Sequence, residues 1–305
     1  MKLGFVSSIL DGWSFEEMID TAAAQGFECV EIACWSSAGK TERRYAGVCH
    51  IDTETIDDQK AEYILNYCKE RKIEISSLAF YPNTMDPDEQ KREENIRHLK
   101  SVIDASAKLN VNMVTTFIGR DQTKSVEENL KLVEKIWPPI LEYAKERKVK
   151  IAIENCPMLF GEDQWPGGQN LMTSPENWDK IFEILDSEYL GINFDPSHFV
   201  WQMMDYIHPI YEYKDKIFHV HFKDIKLYPE KLAKVGVMAY PLKFMSPKLP
   251  GLGDVNWGKF VSALTDIGYD GYVCIEVEDK AFESSREEIL KSLLKSKEYI
   301  RQFPM

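Results

Sequence analysis

The chain has 305 residues, of which 44% are hydrophobic and 12% aromatic, so it can fill a large core and is too apolar for global disorder. Its 37 Lys and Arg stand against 50 Asp and Glu, a formal net charge of −13. That balance argues against non-specific nucleic-acid binding, which needs a basic face to displace counterions, but does not exclude a small anionic substrate in a local pocket. No apolar run approaches the roughly 18 residues of a membrane span. The N-terminus lacks the basic start, long apolar core and cleavage site of a signal peptide, so no membrane partner and a cytoplasmic location are expected. Cys29, Cys34, Cys49, Cys68, Cys156 and Cys274 include no CxxC pair and read as reduced, packed thiols.

Short apolar segments alternate with longer amphipathic ones along the chain. The first strand candidate, residues 3–7, leads into SFEEMIDTAAAQGF, where Ser14 is the expected N-cap, Glu17 completes a capping box and Gly26 terminates the helix. A second strand is expected at 29–34 and a third at 74–80. Next comes a helix in which Ile96, Leu99, Ile103 and Ala107 recur at three- to four-residue spacing. A fourth strand at 111–117 precedes a helix carrying Pro138 and Pro139, where a kink or break is expected. Strands at 150–155, 190–195, 217–222 and 272–277 follow, each with a helical or partly helical segment after it. Eight such units predict a closed (β/α)8 TIM barrel as a single domain over 1–305, with a doubly wound open sheet as the alternative. Two connections are long, 35–53 and 223–255, and both fall on the C-terminal rim of such a barrel, where active sites are built. Both are expected to cover the mouth and shape selectivity.

Glu154, Asp195, His221 and Glu276 stand at the C-terminal ends of the fifth to eighth strands. In a closed barrel those ends form one rim, so three carboxylates and an imidazole converge. Carboxylates that close repel unless a cation neutralises them. An oxygen-rich set with one nitrogen suits a divalent ion, Mn²⁺ first, with Mg²⁺, Co²⁺ and Zn²⁺ also allowed. His219 lies two residues before His221 and faces the same side, either as a deeper barrel residue or as a partner of the ligands.

The segments IEN (153–155), DPSH (195–198), HVHFKD (219–224), PGLGDVNW (250–257) and GYDGYVCIEVE (268–278) resemble the xylose isomerase-like TIM-barrel superfamily, within it the sugar-phosphate isomerase/epimerase group. GFECVEIACW near residue 30 is a weaker match. The set is specific for the superfamily and not for a substrate. The resemblance implies the metal set Glu154, Asp195, His221 and Glu276, with Glu154 and Glu276 doubling as the acid/base pair and His198 contacting substrate. Where some ketose epimerases place an arginine, this chain has HFKDIK, so Lys223 or Lys226 is expected in that role.

The chemistry so implied is proton abstraction next to a carbonyl, through an enediolate that a divalent ion stabilises. The expected function is a metal-dependent isomerase or epimerase of a small keto-sugar or sugar derivative. The alternative is a lyase eliminating from a 3-keto-glycoside, acting alone or with a partner subunit. AP endonucleases share the motifs, but their zinc cluster needs more than six histidines and a basic groove. Intact Glu154 and Glu276 argue against a non-catalytic sugar-binding module. Trp13, Trp35, Tyr81, Phe117 and Trp165 are candidates for an apolar wall, and His50 for a rim base or substrate contact. Lys40, Arg43 and Arg44 could meet an anion. Homo-oligomerisation is left open.

Overall fold

The computed structural model describes residues 1–36, 45–159, 165 and 167–305. Its barrel strands are β1 (Lys2–Val6), β2 (Cys29–Ala33), β3 (Glu74–Ala79), β4 (Met113–Thr116), β5 (Lys150–Glu154), β6 (Leu190–Phe194), β7 (Ile217–Phe222) and β10 (Tyr272–Ile275). They close in the order β1–β10–β7–β6–β5–β4–β3–β2, and every pair is parallel. This is the (β/α)8 barrel expected from the sequence, with strand ends within two residues of those expected.

The main crossover helices are α1 (Phe15–Ala24), α2 (Asp58–Arg71), α3 (Glu89–Lys108), α4 (Val126–Glu146), α5 (Pro175–Ile184), the short α6 (Ser197–Trp201) and α7 (His208–Glu212), α9 (Trp257–Asp266) and α10 (Arg286–Ile300). The Ser14–Glu17 capping box forms as expected, with the Glu17 amide donating to Ser14 Oγ (3.1 Å) and the Ser14 amide to Glu17 Oε2 (2.8 Å). The break expected at Pro138 and Pro139 does not occur, because α4 runs through both. Val133, Trp137, Ile140, Leu141 and Ala144 bury one face of α4 on both sides of the pair, and Trp137 Nε1 donates to the Ile118 carbonyl (2.8 Å). That packing outweighs the roughly 3 kcal/mol cost of an internal proline.

Two features of the barrel bear on the site. Its interior is polar near the top, where Glu31, Ser77, Thr115, Asn193, His219 and His221 are all buried. Side chains of alternate residues enter a barrel, so Glu31 and Ala33, or His219 and His221, line one inner face. The register also shifts twice, between Val30 and Glu31 against β3 and between Ile192 and Asn193 against β7.

The long connection after β7 is built rather than structureless. It holds an antiparallel hairpin of β8 (Asp224–Leu227) and β9 (Met245–Lys248), with α8 (Pro229–Val235) between them. Asp224 organises it: its carboxylate accepts from the amides of Ile225 (2.8 Å), Gly251 (2.9 Å), Gly253 (3.2 Å) and Val255 (3.0 Å) and from Trp257 Nε1 (2.9 Å). The PGLGDVNW turn therefore wraps one buried carboxylate. A Cβ on Gly253 would lie 2.3 Å from Asp224 Oδ1, so only glycine fits there. Asp224→Ala would strand several donors at once, each worth about 1–3 kcal/mol when buried and unpaired. We expect a loss of at least about 3 kcal/mol in urea unfolding; a loss below about 1 kcal/mol would show that water replaces the carboxylate.

Candidate active site

The C-terminal ends of four strands deliver the four residues singled out for metal binding. Glu154 is the last residue of β5, Asp195 follows β6, His221 is the penultimate residue of β7, and Glu276 follows β10. His221 Nδ1 lies 3.7 Å from Glu154 Oε1 and 3.5 Å from Glu276 Oε2. Asp195 Oδ2 joins the group through His198 Nε2, which is 3.2 Å from it and 3.6 Å from Glu154 Oε1.

Two asparagines hold these strand ends together. Asn155 Nδ2 donates to the Asp195 carbonyl (2.9 Å) and its Oδ1 accepts from the Asp195 amide (2.8 Å), tying β5 to β6. Asn170 Nδ2 donates to the carbonyls of Glu154 (2.8 Å) and Cys156 (2.7 Å). The asparagine of the IEN segment is thus a clamp that sets where Asp195 starts, a role not read from the sequence.

Of the two lysines considered, Lys223 is buried and enters the cluster, whereas Lys226 is exposed on the hairpin. Lys223 Nζ lies 2.7 Å from Glu276, 3.1 Å from Asp195, 3.5 Å from Glu278 and 4.0 Å from Glu154. Burial works against every charge here, but the cations outweigh it for the acids they face. Lys223 and His198 hold Asp195 down at about 2, and His198, His221 and Lys223 hold Glu154 well below the usual carboxylate range. For His221, burial is likewise outweighed, by the Glu31, Glu154 and Glu276 carboxylates, which raise it well above an ordinary histidine. Glu278 differs: burial dominates and pushes its carboxyl up.

Above this floor opens a cleft. Its lining includes the apolar or aromatic Trp35, Tyr45, Tyr81, Phe117 and Met158 and the charged Glu154, Glu276, Glu278 and Lys223. Trp35 stacks edge-on against Phe80, with centroids 5.0 Å apart, and Tyr81 packs on Phe117 at 4.8 Å. His198 presents Nε2 to the carboxylates because Trp201 Nε1 donates to its Nδ1 (3.3 Å).

Other candidates go elsewhere. His50 does not line the cleft; it is buried, with Nδ1 3.1 Å from Ser7 Oγ and Nε2 3.2 Å from the Leu10 carbonyl, and burial lowers its pKa. It ties the connection after β2 to the one after β1, a corrected role for a residue expected at the substrate. Trp13 packs under the Arg286 guanidinium (4.6 Å), and Trp165 donates from Nε1 to the Met238 carbonyl (2.8 Å) in the hairpin insertion. Lys40, Arg43 and Arg44 lie outside the described residues. Of the long connections, 35–53 brings Trp35 and Tyr45 to the cleft and 223–255 brings Lys223. A third connection, after β5, was missed and contributes Cys156 and Met158.

The sequence reading also missed Glu31 and Glu278. Glu278 follows Glu276 by two residues and so faces the same way, a signal present in EVE. Glu31 lies in GFECVEIACW, the weaker match to the superfamily, from which no role was assigned to it.

The donor set fits a divalent cation. Glu154 Oε1, Asp195 Oδ2, His221 Nδ1 and Glu276 Oε2 are buried and make no well-aligned hydrogen bond among the described residues, although Lys223 Nζ faces Glu276 Oε2 and Asp195 Oδ2 as a counter-ion that a metal ion would displace. Glu154, His221 and Glu276 offer ligand atoms within 4.8 Å of one another. Buried polar atoms left open in this way are costly unless something is meant to meet them.

A closed parallel barrel with this carboxylate–imidazole mouth defines a class, and the chain belongs to the xylose isomerase-like TIM barrel family, whose model matches residues 19–301. It is similar to the inosose dehydratase of Clostridium tetani (strain Massachusetts / E88), 24% identical over 237 residues, 76% of this chain and 77% of that one. Among solved structures it is similar in fold to the IolI protein with a bound zinc atom, with a TM-score of 0.73 and 19% identity over 100% of this chain and 99% of that one. It is also similar in fold to a D-tagatose 3-epimerase-like protein, with a TM-score of 0.68 and 21% identity over 99% of each chain.

Proposed function

We propose that the chain is a divalent-metal-dependent isomerase or epimerase that removes the proton next to the carbonyl of a small keto-sugar or sugar derivative. The observation that carries this reading is the convergence of four buried ligand atoms, one each on Glu154, Asp195, His221 and Glu276, beneath a cleft that Glu154 and Glu276 line. These four residues would hold the ion, Mn²⁺ by the preference of an oxygen-rich set, with zinc as the ion named for the IolI structure. When bound, a divalent ion supplies Lewis acidity that polarises the substrate carbonyl and offsets the charge developing on its oxygen.

The side chains supply the rest. Glu154 and Glu276 come from β5 and β10, which are not neighbours in the barrel, so they can face opposite sides of a bound sugar. One takes the proton and the other returns it, which inverts the centre; return by one group to the adjacent carbon isomerises. His198 Nε2 and Lys223 Nζ donate to substrate oxygens from inside the same cluster. Trp35, Phe117 and Tyr81 give apolar surface for a sugar face. The small-molecule substrate, the acidic surface and the free thiols agree with a cytoplasmic enzyme, and no helix among the described residues is long and apolar enough to cross a membrane.

A second reading is favoured by the inosose dehydratase relative: elimination of water starts with the same proton abstraction and then expels a hydroxyl. The test is Mn²⁺-loaded protein incubated in D₂O with a panel of keto-sugars and keto-cyclitols. Deuterium entering next to the carbonyl with the carbon skeleton intact supports epimerisation or isomerisation. Loss of the mass of water selects the dehydratase. Neither exchange nor turnover across the panel would overturn both.

A further inference from the structure

We propose that Glu31 is a positioning residue for His221: it accepts the Nε2 proton and so leaves Nδ1 as the nitrogen that meets the metal. The inference rests on the metal reading above and goes beyond it, because Glu31 itself touches neither the ion's ligand atoms nor the cleft.

Glu31 Oε2 lies 2.9 Å from His221 Nε2, and both side chains are fully buried. An ionised carboxylate only accepts, so the hydrogen between them belongs to Nε2. The neutral imidazole then has a bare Nδ1, which is the atom that points between Glu154 and Glu276 and has no hydrogen-bond partner among the described residues. Without an acceptor on Nε2, the proton could sit on Nδ1, where it would block a ligand position.

The surroundings hold Glu31 in that pose. Tyr81 donates from its hydroxyl to Oε1 (2.7 Å) and Ser77 from Oγ to Oε2 (3.2 Å). Asn193 is the other neighbour of Nε2: its Nδ2, a donor 3.0 Å away, would favour a bare Nε2, so the two neighbours compete for that nitrogen and the anionic Glu31 carboxylate, at 2.9 Å, is the stronger partner. The orientation of Asn193 is fixed by Nδ2 donating to the Tyr81 hydroxyl (3.2 Å) and Oδ1 accepting from His219 Nδ1 (3.0 Å). His219 Nε2 is in turn 3.1 Å from Ser76 Oγ, and its Nδ1 lies 3.6 Å from Glu31 Oε2. The two register shifts fall at Glu31 and Asn193, the residues that face Nε2. Such irregularities re-aim side chains next to active sites.

A carboxylate on the far nitrogen of a metal-bound histidine fixes the tautomer and makes the ligand more basic, and its loss costs about 10–100-fold in metal affinity. Zn²⁺ affinity of wild type and Glu31→Gln, by competition with a chromophoric chelator, should differ by that factor. Long-range ¹H–¹⁵N spectra of histidine-labelled, Zn²⁺-loaded wild type should show His221 metal-bound through Nδ1 with a proton on Nε2. In Glu31→Gln the Nε2–H resonance should move upfield. A folded Glu31→Gln with wild-type affinity and an unmoved resonance would overturn the role of Glu31 while leaving the metal site standing. Zn²⁺ bound through Nε2 in wild type would also overturn it, and this measurement needs no variant to fold. A His221 that does not respond to Zn²⁺ at all would remove the metal reading and this inference with it.

Discussion

Glu276→Gln is expected to lower kcat by about 10²–10⁴-fold with KM changed little, the signature of losing a proton-transfer group. The amide keeps the shape and one neutral oxygen donor but cannot accept a proton. Its Oε2 sits 3.5 Å from His221 Nδ1 and 2.7 Å from Lys223 Nζ, so the substitution also releases part of the Lys223 charge into the cleft. Metal content, measured by elemental analysis, should therefore be checked in the same preparation. Glu154→Gln should behave alike in turnover, and comparing deuterium wash-in for the two variants identifies which carboxylate takes the proton and which returns it. A Glu276→Gln protein that holds metal, exchanges and turns over at the wild-type rate would show that the base lies elsewhere, with His198 the next group to test. His50 is no longer a contender, since its two nitrogens are occupied by Ser7 and Leu10.

Removing the metal should abolish both exchange and turnover, and Mn²⁺ should restore them. Full activity in a chelator-treated protein shown to be metal-free would sink the mechanism. The pH dependence follows from His221. Burial disfavours its cationic form, but Glu31, Glu154 and Glu276 outweigh burial and raise its pKa well above the usual value. In the metal-free protein this ion pairing contributes stability that is fully present below the unfolded-state pKa of about 6.5. It is lost as pH rises through the higher folded-state value, so the Tm of metal-free protein should fall on the alkaline side. A metal ion needs the neutral imidazole and must displace that proton. Affinity should thus rise with pH, with proton release on binding, when measured by calorimetry in buffers of different ionisation enthalpy. An affinity flat over about pH 6 to 9 would mean that no proton is displaced from the ligands.

What the sequence determined follows from periodicity and covalent spacing. Eight short apolar segments separated by amphipathic ones admit few arrangements, and right-handed crossovers between parallel strands bring those ends to one rim. A residue at the end of a strand is therefore placed by counting, which is why Glu154, Asp195, His221 and Glu276 could be grouped without coordinates. The Asp224 segment was legible as a motif, but its reason was not: four amides and an indole reaching one carboxylate come from residues up to 33 positions away. The continuous α4 likewise reflects packing on both sides of Pro138 and Pro139 that local propensity does not contain.

Only the tertiary structure decided what surrounds the four residues. Glu31 lies 190 residues from His221 in the chain, and the two meet because β2 and β7 face each other across the barrel interior. Lys223 and Lys226 are chemically alike, yet the turn from β7 into the hairpin buries one among carboxylates and leaves the other in water. His50 sits in a connection that bends back onto β1, which turns an expected rim base into a tie between loops. Sequence spacing fixes which strand end a side chain occupies, while the partners of that side chain depend on distances across a closed barrel, and those are set only when the last strand pairs with the first.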